Sequence, residues 1–536
     1  MKHKILLSED KFWSKFIFNN KTLWIKGYCN YSNQDLSKAL NSLKKDELKN
    51  YISSITGHFA IVFSSLKRTL IIVDRIRSNE INILQDNNSI FISSDFNKLK
   101  NKFNSNEYLN EQAKLELSMG GFTIGNNTLF SNIISPNAGQ YILIENNNIE
   151  VLVYFNYFGK IDFKSTEDQL ISELTEVTLD IFKKIQKKVG KRQVVIPLSA
   201  GNDSRLVASI FKHLRVKNVL CFSYGNKNSF EVQTAKKIAN QLGYNWTFVP
   251  LSHTTERKFY KSKIYLDYLK YSTSVNSVSN FQGLSSIYYL KRNNLLQDDA
   301  IFINGNSGDF ISGLHINKLH ETITSKSFKY KNLSRILKEE YIYKHYSLWG
   351  DLKNKENIKM INKSIDKELG QLENIQIENA HLAFEKLELV DRQSKYVIFG
   401  QKTFEFFGYD WMLPLWDDKY LFFWKKVSSN FKYKQVLYNK MLILNDWGGV
   451  WKSIPINKKT TGGFLLRSVR LFFKIIFVFF GKQKWHQFET TFIKYWSDPI
   501  YYHKFQSYFK IIKEYKRKPK NAVSWVTKNY LEKLLE

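Results

Sequence analysis

Cysteine is nearly missing from this chain. Two occur in 536 residues, Cys29 and Cys221, far apart and outside any CxxC spacing. A disulfide framework and a cysteine-built zinc site are thereby excluded, and a reducing cytoplasm fits best. Long apolar runs are scarce as well. The amino terminus, MKHKILLSEDKFW, offers only Ile5-Leu6-Leu7 before Ser8, Glu9 and Asp10, so no signal peptide is expected. The greasiest stretch, Leu471 to Phe480, is interrupted by Lys474 and falls well short of the roughly 20 apolar residues a spanning helix needs. Two readings of it stay open. It is a buried core helix, or it is an interfacial helix at the inner face of a membrane, which the flanking Arg467, Arg470, Lys482 and Lys484 keep alive.

Acidic residues are also in deficit, 49 Asp and Glu against 80 Lys and Arg, for a formal charge of +31. Dispersed lysine is first of all a solvated surface. An anionic membrane surface or a polyanionic substrate are the functional alternatives. No RRM, KH, zinc-finger or basic-helix pattern appears, so nucleic acid ranks below both.

What is present is ample core material, since 43% of residues are hydrophobic. The length exceeds what one compact core accommodates, so at least two domains are expected. Up to about 160 the chain reads as strands, such as Thr22–Ile25, Phe59–Phe63, Thr69–Val73 and Ser89–Ser93, with helices near 34–50 and 106–118. An α+β layered domain over 1–160 follows. Another domain, 165–536, opens with helical periodicity from Thr166 to Lys188. It continues with the all-apolar strand Val194–Leu198, helix 203–214, strand Asn218–Ser223, helix 229–242 and short strands at Asn245–Val249 and Ala300–Ile303. Continuous apolar strands alternating with helices predict a buried parallel sheet. Beyond about 320 the chain reads as mostly helical.

The strongest local signal is Leu198-Ser199-Ala200-Gly201-Asn202-Asp203-Ser204, placed after a buried strand and opening a helix. Ligands of open α/β sheets bind at the carboxyl ends of strands. A small Gly-containing turn there lets backbone N–H groups approach a phosphate, and the helix dipole and Ser hydroxyls add to the attraction. Asp203 repels bare phosphate, which points to a bridging Mg²⁺ ion. In isolation such a turn is as often an ordinary helix cap. A further stretch, Ile301 to Gly313, carries Asn304-Gly305-Asn306-Ser307-Gly308-Asp309 after another strand.

The turn at 198–204 resembles the SGGxDS loop of PP-loop ATP pyrophosphatases, with Ala200 replacing a Gly, and it lacks the spacing of a Walker loop. The stretch from Ile301 to Gly313 resembles the LSGEGSDExxGG segment of the asparagine synthetase family. Leu389 to Lys395 together with Asp410 to Asp417 resembles that family's DRMSMA and EARVPFLD halves. Ser453 to Phe464 resembles its lysine-bearing lPxxRxKxGF region. Gly57-His58-Phe59-Ala60, Val73-Asp74-Arg75 and Ser93-Ser94-Asp95 echo its amino-terminal landmarks, as does Asn126 to Gly139. The resemblance implies an α/β protein with an N-terminal Ntn-hydrolase-like α+β sandwich. A Rossmann-like PP-loop parallel-sheet domain with a helical C-terminal part would follow. It further implies ATP bound by Leu198, Ser199, Gly201, Asp203, Ser204 and Gly305, Mg²⁺ held by Asp203 and Asp309, and Lys459 or, failing that, Lys458 facing the α-phosphate. A carboxylate and an amine would be the substrates.

Two departures qualify the likeness. The family's glutaminase uses an N-terminal Cys, whereas position 2 is Lys2 and Cys29 is internal, without an α-amine of its own as base. Glutamine hydrolysis is therefore expected to be lost, as in the similar beta-lactam synthetases, leaving free ammonia, a partner glutaminase or an amine-bearing acceptor as nitrogen source. Asn306 stands where the family has a proton-accepting Glu, and an amide cannot accept a proton at neutral pH. Substrate choice is thus open, a sugar acid of a surface-glycan precursor being one option. A PP-loop enzyme modifying tRNA, or a non-catalytic paralogue, are the competing readings.

Overall fold

Alternating apolar side chains along the first strands bury both faces of one sheet. A computed structural model of the chain describes residues 2–86, 89–370, 375–455, 464–498 and 500–535. In its amino-terminal region, six antiparallel strands run in the order Asn148–Val153, Gln140–Glu145, Thr69–Val73, Phe59–Ser64, Lys21–Gly27 and Trp13–Phe18. Trp24, Ala60, Val62 and Ile71 pack on Ile83, Ile90 and Ile92 of a four-stranded sheet, forming a sandwich core. The intervening residues Leu23, Ile25, Ile61 and Phe63 point the other way, against Leu36, Leu40, Leu48 and Ile52 of helices Asn33–Ser42 and Lys45–Ser54. That division follows from the two-residue period of a strand.

Thr166 then starts the helix Glu167–Val189 with a capping box closed by Gln169. Its apolar stripe, including Leu170, Leu174, Ile181 and Ile185, lies in the core shared with the parallel sheet. That sheet has the order Asn245–Pro250, Val219–Gly225, Val194–Pro197, Ile301–Ile303 and Asp410–Met412, all parallel. The α/β class and its two kinds of layer are those expected. The fifth strand, Asp410–Met412, is a difference. Three residues beginning with a charged side chain give no strand periodicity, and pairing with Ile301–Ile303 makes the strand.

The two regions are joined by the amino-terminal landmark residues. Arg75 donates to the Asp418 carboxylate at 3.0 Å, and the Gly57 N–H donates to the same carboxylate at 2.9 Å. The buried pair Asp391–Lys395, at 3.2 Å, takes the Gly125 N–H and donates to the carbonyls of Thr123 and Gly125.

The stretch 471–480 is not a core helix, which settles one of the two readings left open above. Helix Phe464–Phe477 and the turn Val478–Phe480 turn Leu471, Phe472, Ile475 and Phe479 outward. Among the described residues, no helix is long and apolar enough to cross a membrane.

Candidate active site

Strand order reverses at Val194–Pro197: the next two strands extend the sheet on one side, and Ile301–Ile303 lies on the other. Such a switch point opens a crevice at the carboxyl ends of its strands. Here it is a cavity of about 700 Å³. Leu198, Ser199, Asp203, Ser204, Gly305 and Asp309 line it, whereas Gly201, also expected at the nucleotide, is not among its lining residues. Two segments separated by about a hundred residues, each singled out by sequence, therefore face one space.

The Ser199–Ser204 loop is fastened to itself. The Ser199 N–H donates to Ser204 Oγ at 3.0 Å, the two hydroxyls are 3.0 Å apart, and the Gly201 N–H donates to Ser199 Oγ at 3.2 Å. Gly201 is the N-cap residue of helix Asn202–His213, with no side chain to bond the first turn. A Cβ built there would meet only Ser199 Oγ, at 3.4 Å. The loop's own packing thus leaves room beside the helix N-terminus, where an anion is favoured.

The Asn304–Asp309 loop lies against it. A Cβ on Gly305 would come within 2.7 Å of the Asp203 carbonyl, and one on Gly308 within 2.4 Å of the Asp203 carboxylate. Only glycine permits this approach. Ser307 adopts φ 68°, unusual for a residue with a side chain, and its hydroxyl donates to Gln393 at 2.6 Å.

Asp203 accepts the Asp309 N–H at 3.0 Å and the Tyr438 hydroxyl at 3.1 Å. Burial, and then the charge of Asp309, push its carboxyl up to about 7. Asp309 keeps nearly half its side chain exposed, at 47%. Burial pushes its carboxyl up as well. The His315 hydrogen bond and charge, with Arg392, more than reverse this, and the carboxyl ends below its ordinary value. His315 Nε2 lies 3.3 Å from Asp309, and its Nδ1 meets the fully buried Glu388. Lys344 donates to Glu388 at 3.2 Å, and the Gln393 amide nitrogen donates to the same carboxylate at 3.0 Å. Arg392 stands 3.7 Å from Glu388 and lines the cavity. Burial raises the Glu388 carboxyl, but His345, His315 and Lys344 hold it well below its ordinary range.

Sequence reasoning missed His315, Glu388 and Tyr438. Only proximity could have drawn attention to the first two, His315 six residues past Asp309 and Glu388 three before Asp391. Asn306 lines the cavity too. Lys458 and Lys459 lie outside the described residues. The stem before them is held beside the Ser199–Ser204 loop, because Arg205 donates to the carbonyls of Ala200 and Ile454 at 2.9 Å and of Pro455 at 3.2 Å. Neither thiol is activated: burial pushes Cys29 up and pushes Cys221 up to about 12.

No protein-family model matches the chain, and no curated protein does. Among solved structures it is similar to glutamine phosphoribosylpyrophosphate amidotransferase from B. subtilis complexed with ADP and GMP. Identity is 10% and the TM-score 0.17, over 55% of this chain and 63% of that chain. Another similar structure, the allosteric regulatory enzyme of purine biosynthesis, has 11% identity and a TM-score of 0.16, over 54% of this chain and 56% of that one. The chain thus spans less than two thirds of either. Likeness this shallow says nothing about the cavity.

Proposed function

We propose that this protein is an ATP-consuming, AMP-forming carbon–nitrogen ligase of the asparagine-synthetase type. The observation that carries this reading is the meeting of the Ser199–Ser204 turn with Asp309 in one cavity at the sheet's switch point. The reaction has two steps. A substrate carboxylate oxygen bonds to the α-phosphorus of ATP and pyrophosphate leaves. An amine then attacks the acyl carbon, AMP departs, and the amine loses a proton.

Each part of the cavity suits one demand of that chemistry. The turn's small residues and the helix N-terminus suit a polyphosphate. Arg392 adds a fixed positive charge at the wall. Among the described residues no group of three or more His, Cys, Asp or Glu is arranged as a metal cage. Two neighbouring carboxylates fit Mg²⁺, which is usually held by one or two carboxylates together with substrate phosphates. The donor set agrees, because the charge of Asp309 helps to raise the Asp203 carboxyl, and a divalent cation relieves that repulsion. Bound there, Mg²⁺ would neutralise charge on the phosphates.

The test is product analysis. The full chain is incubated with ATP, Mg²⁺ and a panel of amino acids and sugar acids, with and without ammonia. The proposal expects AMP and pyrophosphate with one class of carboxylate. ADP and orthophosphate as the products would exclude it.

A further inference from the structure

Helix Phe464–Phe477 and the turn Val478–Phe480 turn an apolar face away from the protein. Phe473 and Phe477 pack inward on Phe488, and Arg470 pairs with Glu489. Leu471, Phe472, Ile475, Val478, Phe479 and Phe480 cover the opposite side, with exposures reaching 88% at Phe479. Leu471, Phe472 and Ile475 share one face of the α-helix, and the 3₁₀ turn extends the exposed apolar surface with Val478, Phe479 and Phe480. A contiguous apolar surface of this kind marks an interaction site.

Three observations say what covers it. The helix is 14 residues long, about 21 Å at 1.5 Å per residue, so it can lie in an interface but not span a bilayer. Lys474 lies on the same helix, Lys484 sits 5.6 Å from the Phe480 ring, and both are exposed, as is Lys482 close by in the chain, so the apolar face has cationic neighbours. The chain carries a formal charge of +31, which opposes face-to-face packing of two copies and favours an anionic surface. An apolar stripe with lysines at its edge is the pattern of a helix lying at the headgroup level of anionic lipid.

We infer that this face docks on an anionic lipid bilayer, with the aromatic side chains inserted and the lysines at the headgroups. The inference stands on the exposed face and does not depend on the ligase reading.

The full chain is floated with vesicles of phosphatidylcholine alone or of phosphatidylcholine with phosphatidylglycerol. Flotation is expected only with the anionic vesicles, weakened but not abolished by high salt. Phe472→Asp with Phe479→Asp, both on exposed positions, should reduce bound protein at least tenfold at both salt levels. Lys474→Glu with Lys482→Glu and Lys484→Glu should abolish the preference for anionic lipid. Circular dichroism and a thermal melt confirm that the variants fold. Absence of wild-type flotation, or flotation unchanged in the double Phe variant, overturns the inference. So does a concentration-dependent dimer that the double Phe variant abolishes in a wild-type chain that ignores vesicles, for the face would then pair with another copy of the chain.

Discussion

The backbone N–H of Asp309 donates to the side chain of Asp203 over 3.0 Å, joining acidic residues 106 positions apart. The bond holds two carboxylates together where burial already opposes the ionisation of Asp203. Both residues line the cavity at the sheet's switch point. Asp203→Asn and Asp309→Asn are each expected to lower Mg²⁺-dependent AMP formation by about 100-fold or more, a loss of roughly 3 kcal/mol or greater in transition-state stabilisation. Asn retains the size of Asp, so the melting temperature should hold or rise slightly in Asp203→Asn and fall slightly in Asp309→Asn, which gives up the pairing with His315. Near-normal turnover in both variants would place the chemistry elsewhere.

Glycines in the two loops separate packing from ligand space. Gly305→Ala forces the loops apart, since its Cβ would lie 2.7 Å from the Asp203 backbone. It should cost both stability, by about 1–3 kcal/mol, and activity. Gly201→Ala meets only Ser199 Oγ at 3.4 Å and has an ordinary φ of −74°. It is expected to melt with the wild type and yet bind ATP weakly, because the new methyl fills the space beside the helix N-terminus. Nucleotide binding by calorimetry with a parallel thermal melt checks both. A Gly201→Ala protein that binds ATP normally would put the phosphates somewhere other than this turn.

How much of this was legible in the sequence depends on distance along the chain. Val194–Pro197 announces itself as an unbroken apolar strand, Val219–Gly225 by its apolar start Val219–Phe222, and helix Glu167–Val189 by its apolar stripe. The Ser199–Ser204 turn is local too, so its position after a buried strand could be read directly. Glu388 could not. Its significance comes from His315, Lys344, Arg392 and Gln393 arriving from three separate segments. Nor does periodicity say which way a stripe faces. Leu471 and Phe479 have the spacing of a core helix, and only the packing of Phe473 and Phe477 on Phe488 shows that the core side is the other one.

Arg75 is a prediction about assembly rather than chemistry. Its guanidinium is buried, bonds the Ile55 carbonyl at 2.8 Å and pairs with Asp418, which also takes the Gly57 N–H. Removing one member leaves the other charged and buried without its partner. Arg75→Ala is expected to destabilise by about 3–5 kcal/mol, read from denaturant unfolding. Replacing Asp418 by Asn in the same background should recover part of the loss, since it removes the orphaned charge. A double variant worse than the single by the full cost of Asp418→Asn alone would show that the pair is not coupled.

Glu256, which is not itself among the residues lining the cavity, gives the clearest pH dependence. It is 2% exposed, and its carboxylate accepts the Ser285 hydroxyl at 2.8 Å. Burial raises its carboxyl from 4.5 to about 7, the Ser285 and Tyr260 hydrogen bonds reducing the rise. A folded-state value above the unfolded one means that the native protein holds the proton more tightly. The associated stability is fully present below about 4.5 and is lost as pH rises through about 7. Glu256→Gln keeps a hydrogen-bonding side chain and removes the titration. The variant should therefore gain on the wild type from pH 5 to pH 8, by at most about 3 kcal/mol. Other titrating groups are common to both proteins and cancel in the difference. Urea unfolding of the two proteins across that range measures it, and a difference that stays constant with pH would mean that Glu256 is ionised in the folded state throughout.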